Sequence, residues 1–90
     1  MKIVYERENN RTAAYDGDKL IGECSYREID GIWEANHTYV DPQYRGQSIA
    51  SKLLEKLVDE AKSQDKRIRP VCSYVVKEFE NNSDYREIEY

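Results

Sequence analysis

The hydrophobic pattern of this chain changes period at Asp41-Pro42, and that change constrains the fold more than any other feature. Upstream, apolar and polar residues alternate in short runs, "KIVYE", "TAAYD", "KLIGECSYREI" and "IWEANHTYV", as half-buried strands do. Asp16-Gly17-Asp18 and Asp30-Gly31 separate the later runs, and Asp-Gly pairs are hairpin signals because glycine accepts positive φ freely. An antiparallel meander is therefore expected. Downstream, Ile49, Leu53, Leu54, Leu57, Val58 and Ala61 fall at helical spacing, with Lys52, Glu55, Lys56, Asp59 and Glu60 mostly on the opposite side. This predicts one core-facing helix of roughly four turns. "SQDKR" ends it, "IRPVCSY" reads as a further strand with Pro70 near a strand end or edge, and "YVVKEFEN" reads as a short second helix. Ser83 is placed to cap a last turn running into "DYREIEY". The predicted class is α+β: a mostly antiparallel sheet of about five strands, one long helix and one or two short C-terminal helices.

With 90 residues and no linker-like shift in composition, one domain spanning residues 1–90 is expected. A net charge of -4 with acidic and basic residues interspersed leaves neither a nucleic-acid footprint nor an anionic-membrane footprint. The eight tyrosines, Trp33 and Phe79 then belong to packing, not to base stacking. No apolar run is long enough to span a bilayer, and "MKIVYERENN" turns polar where a signal peptide would carry its apolar core, so the reading is cytoplasmic. Cys24 and Cys72, with the lone His37, lack the paired spacing of a zinc site and are read as free thiols; no metal is expected.

The switch point itself, "DPQYRGQSIASKLL", carries the chemistry. A strand, a tight polar loop with one glycine and a helix opening on small residues form a recurring anion site, since unpaired N–H groups and the helix dipole point the same way. Gly46 admits close approach, Arg45 supplies charge, and Gln47 through Ser51 supply N–H groups, helped by the hydroxyls of Ser48 and Ser51. The same residues also read as an ordinary capped helix, with Ser48 as N-cap and Gly46 as a turn residue. Neither the Gly-Lys-Ser/Thr of a nucleotide P-loop nor the three-glycine dinucleotide fingerprint is present. By period two, Trp33, Ala35 and His37 share the less polar face of the fourth strand, and Glu34, Asn36 and Thr38 share the other.

Taken together, "HTYVDPQYRGQSIASKLLEKLVDEA" resembles the acetyl-CoA loop of the GNAT superfamily of N-acetyltransferases, with its Arg/Gln-x-x-Gly-x-Gly/Ala pattern ahead of a helix. His37-Thr38-x-Val40, Arg45-Gly46, Pro70-x-Cys72 and the final "YRE" turn are similar to the minimal stand-alone GNAT-like subfamily. One departure is Ser48, where the pattern wants glycine or alanine. The resemblance implies acetyl-CoA as cofactor, its pantetheine arm lying along the backbone of Thr38, Tyr39 and Val40 where the fourth and fifth strands splay. It also implies a diphosphate over Arg45, Gly46, Gln47, Ser48, Ile49, Ala50 and Ser51, and an amine acceptor, small molecule or peptide, on a monomer or weak dimer.

Acetyl transfer needs a base for the amine and an acid for the leaving thiolate. His37 is the base candidate; a structural histidine bonded to a backbone carbonyl is the alternative. Cys72, ahead of the short helix, is either a reactive thiol that takes up acetyl or a small core residue. Tyr74 is a weaker acid candidate, and Cys24 is read as core. A non-catalytic CoA-binding or sensing protein and a plain interaction domain are the rival functions.

Overall fold

The computed structural model describes residues 1–90. Strands β1 (Lys2–Glu6), β2 (Arg11–Asp16), β3 (Lys19–Ile29), β4 (Ile32–Val40) and β5 (Arg67–Pro70) form one sheet in the order of the chain. The first three pairings are antiparallel and β4 pairs with β5 in parallel. A parallel neighbour needs a long crossover, and helix α1 (Ile49–Ser63) supplies it. Asp30 and Gly31, both at positive φ, close the β3–β4 hairpin in the two-residue turn that matches strand twist. Helix α2 (Ser73–Asn81) follows β5, and a 3₁₀ turn, Ser83–Ile88, ends the chain. No helix is long and apolar enough to cross a membrane.

The periodic apolar face of α1 does what its spacing predicts: Ile49, Leu53, Leu54, Leu57, Val58 and Ala61 are all buried. They meet Ala14, Ile21, Cys24, Tyr26, Trp33 and Ala35 of the sheet in one core that continues through Ile68, Val75 and Phe79. Tyr26 stacks on Trp33 with ring centroids 4.1 Å apart. Buried Thr12 donates its hydroxyl to the Leu53 carbonyl at 2.8 Å, tying sheet to helix. Gly22 fixes how closely the helix opens against the sheet. A Cβ there would stand 3.1 Å from the Tyr39 carbonyl oxygen and 3.2 Å from Leu53 Cδ1. The start of α1 is therefore pressed against the ends of β3 and β4.

Two local features depart from the alternation read in the sequence, and both shape the region around β4. Ser25 pairs with His37 but Tyr26 pairs with Ala35, so Asn36 is an extra residue in β4. Such a bulge inverts the facing of every later side chain. Trp33 and Ala35 point into the core, but His37 is exposed and it is Thr38 and Val40 that turn toward the helices. The expectation that His37 shares the less polar face with Ala35 is thus corrected. Second, β5 stops at Pro70, short of the predicted "IRPVCSY", and its pairing with β4 ends at Ala35 opposite Pro70. The amides of Val71 and Cys72 both donate to the Ala35 carbonyl, at 3.1 and 3.0 Å, and the two strands then part. Beyond that fork β4 has no strand partner on the β5 side.

Smaller corrections follow the same local logic. Asn82, not Ser83, caps the terminal turn, its side-chain oxygen accepting from the Asp84 amide at 3.1 Å. Short 3₁₀ turns at Arg7–Asn9 and Pro42–Tyr44 have no periodic signature to announce them.

Candidate functional site

The loop between β4 and α1 is built from its own side chains. Asp41 accepts the Gln43 amide on Oδ1 at 2.9 Å and starts the 3₁₀ turn, with Pro42 at the helical position that needs no N–H. Gly46 and Ser48 then adopt left-handed conformations, at φ 84° and 60°. These two residues redirect the chain so that the first backbone bond of α1 runs from the Lys52 amide to the Ser48 carbonyl, at 3.1 Å. The amides from Gly46 to Ser51 have no protein acceptor. Ser48 occupies the N-cap position but makes no side-chain capping bond; Ser51 Oγ donates to the Ser48 carbonyl instead, at 2.9 Å. The arrangement is therefore not the ordinary capped helix. It is a cup of unpaired donors at the positive end of a helix dipole, with exposed Arg45 at its rim.

That cup opens into a cleft of about 450 Å³ between the end of β4, the loop, the first turn of α1 and one face of α2. Eight of the residues singled out in the sequence line it: Val40, Arg45, Gly46, Ser48, Ile49, Ala50, Ser51 and Tyr74. Gln47, Thr38, Tyr39, His37 and Cys72 do not. The cleft adds Tyr44 and Glu78. Tyr74 and Glu78, four residues apart, share one face of α2, but nothing in the sequence says that this face meets the loop. Burial, aided by the Glu78 carboxylate, pushes the Tyr74 hydroxyl up to about 12, so it stays protonated.

Tyr44 also moors the loop. Its hydroxyl donates to Asp16 Oδ2 at 2.6 Å, and Lys19 Nζ lies 3.6 Å from Asp41 Oδ2. The loop is thereby tied at two points to the β2–β3 hairpin, and the Asp41 amide adds a third link to the Ile21 carbonyl at 2.7 Å. The hydrogen bond to the Asp16 carboxylate raises the Tyr44 hydroxyl above its ordinary value.

Cys72 sits at the fork as the N-cap residue of α2. Burial alone would raise its thiol; the backbone N–H groups of Val75 and Tyr74 at the helix start, with Thr38, outweigh it and hold the thiol below its ordinary value. Cys24 is the contrasting case, fully buried and pushed up to about 11 by that burial. His37 stands on the opposite face of β4, and no side-chain hydrogen bond ties its ring to a carbonyl as the structural reading of it required. Cys72 and His37 thus flank the fork from its two sides. No group of three or more His, Cys, Asp or Glu side chains converges as metal ligands would.

Comparison with known proteins matches this geometry to a family. The solution structure of a GCN5-like protein from Staphylococcus aureus superposes with a TM-score of 0.77 at 24% identity, covering 99% of this chain and 87% of its own. A ribosomal-protein-alanine N-acetyltransferase from Brucella melitensis biovar Abortus superposes at 0.61 and 22% identity, over 79% of this chain and 59% of the other. No curated protein sequence matches. At these identities the two structures speak for the fold alone. The family profile described as GCN5-related N-acetyl-transferase matches residues 10–88, nearly the whole chain, and the chain accordingly belongs to that family of acyltransferases.

Proposed function

We propose that this chain binds acetyl-CoA in the cleft at the start of α1 and transfers its acetyl group to an amine. The observation that carries the reading is the run of amides from Gly46 to Ser51 that have no protein acceptor, at the start of α1 and in a loop that lines the cleft together with Arg45. A donor set made of main-chain N–H groups and one guanidinium suits a diphosphate. The edge of β4 past Ala35, without a strand partner, suits an extended arm that carries amides, by strand addition. When bound, acetyl-CoA supplies an activated acyl group.

The chain's own residues divide the remaining work. Thr38, Tyr39 and Val40 lend main chain to orient the arm, and Gln47 through Ser51 hold its charged end. Cys72, with its thiol held low at the helix start, is the candidate nucleophile or proton source at the fork. His37, exposed on the far side, is the candidate base for an amine arriving from solvent. A sensing role without turnover is the second reading: the other cleft lies at the far end of α1, lined by Lys62, Asp65, Lys66, Arg67, Glu87 and Ile88.

Titration of labelled protein with CoA is expected to shift the amide resonances of residues 38–51 first. Saturable binding that leaves Gly46–Ser51 unmoved would overturn the placement, and no binding would overturn the cofactor. Release of free thiol from acetyl-CoA in the presence of an amine panel separates the enzyme from the sensor.

A further inference from the structure

The bulge in β4 has brought a hydroxyl between two thiols. Thr38 lies directly across from Cys24 in the β3–β4 register and faces the helices, while the hold of the Ala35 carbonyl on the Cys72 amide delivers Cys72 from the other side of the fork. Cys72 Sγ donates to Thr38 Oγ1 at 3.8 Å, and Thr38 Oγ1 donates to Cys24 Sγ, also at 3.8 Å. For sulfur these are hydrogen-bonding distances. A hydroxyl can accept and donate at once, and both O–H and S–H turn freely about their bonds.

We propose that Cys24, Thr38 and Cys72 form a reversible hydrogen-bond chain in which Thr38 and Cys24 are positioning residues for the Cys72 thiolate. In the neutral chain the bonds run from Cys72 to Thr38 to Cys24. When Cys72 gives its proton to solvent, its S–H bond breaks and the electron pair stays on Sγ. The Thr38 O–H then turns from Cys24 to the Cys72 sulfur, and the Cys24 S–H turns to donate to Thr38 Oγ1. No other covalent bond changes. Cys24 can play this part because its burial keeps it protonated through the neutral range. The N–H groups of Tyr74 and Val75 act on the sulfur from α2, so the anion gains donors from both sides.

Other titratable groups near the chain are few. Tyr74 and Glu78 stand on α2, Glu23 neighbours Cys24 on β3, and His37 faces away on β4. This deepens the role given above to Cys72, yet its readout is the ionisation of the thiol, which needs no acetyl-CoA. Failure of CoA binding would sink the donor reading and leave this one standing.

The experiment is the pH profile of iodoacetamide alkylation of Cys72, resolved by peptide mass spectrometry on the whole chain. Thr38→Val keeps the shape and removes the hydroxyl; its inflection is expected to move up, with alkylation at pH 7 slowed about fivefold, since one pKa unit is tenfold in thiolate. Thr38→Ser keeps the hydroxyl and should return the profile toward that of the native chain. Cys24→Ala should move it in the same direction as Thr38→Val by a smaller amount. A native profile in Thr38→Val overturns the proposal. So does a native profile in Cys24→Ala, which also serves if Thr38→Val does not fold.

Discussion

At the scale of the residue, Ser48 is the most informative position. The family pattern wants glycine or alanine there, and the backbone supplies a reason for the glycine: φ is 60°, a region where a Cβ crowds the neighbouring carbonyl. Ser48→Gly removes that crowding but loosens the unfolded chain, and the two effects leave a net gain of roughly 0.5 kcal/mol. The expected outcome is a melting temperature a few degrees higher and tighter CoA binding by calorimetry, because the cup opens without strain. A lower melting temperature would show that the Ser48 side chain makes a contribution of its own. Gly46 was legible as the turn residue because glycine accepts positive φ freely; the left-handed turn at Ser48 was not, since a serine ahead of a helix reads as an ordinary N-cap. The face of His37 was not legible either. Period-two counting assumes that no residue is added to the strand, and Asn36 is one.

At the scale of the element, the loop from Asp41 to Ser48 depends on a hairpin far away in sequence. Tyr44→Phe keeps the ring that packs against the core and deletes only the hydroxyl held by Asp16. That bond is exposed and solvent competes for it, so apparent affinity for acetyl-CoA is expected to fall roughly twofold with the unfolding midpoint nearly unchanged. Equal losses in stability and affinity would instead assign Tyr44 to the core. Long periodic elements were legible: α1 begins at Ile49, where the apolar spacing starts, and α2 covers "YVVKEFEN" with one added residue. The mooring was not, because Tyr44 and Asp16 are 28 residues apart and only the folded meander sets them side by side. The early end of β5 was half legible in Pro70, which lacks the N–H a continuing ladder needs.

At the scale of the whole molecule, the edge strand β1 is clamped across the sheet. Glu6 Oε1 accepts from Arg11 Nε at 2.7 Å and from Asn9 Nδ2 at 3.1 Å, Tyr15 donates to the other carboxylate oxygen, and Arg11 reaches on to Glu23 at 3.3 Å. The Tyr15 hydroxyl first, then Arg11 and Asn9, hold the Glu6 carboxyl below its ordinary value against the opposing effect of burial. A lowered folded value means that the stability contributed by Glu6 is fully present above the unfolded value, near 4.3, and is lost as pH falls through the folded one. Glu6→Gln is therefore expected to lower the melting temperature by about 4 °C at pH 7, with the gap closing below about pH 4. A gap that persists in acid would trace the loss to shape and not to charge.

One inserted asparagine separates this sheet from a plain one. Flatten the bulge on paper so that Asn36 pairs with Ser25, and every later residue slips by one: His37 comes opposite Cys24 and swings inward, Thr38 swings out to water, and the two sulfurs lose the oxygen between them. Such a chain keeps its sequence and most of its packing, yet no hydroxyl faces Cys72. In a protein this small, the register of one strand decides which side chains meet the thiol.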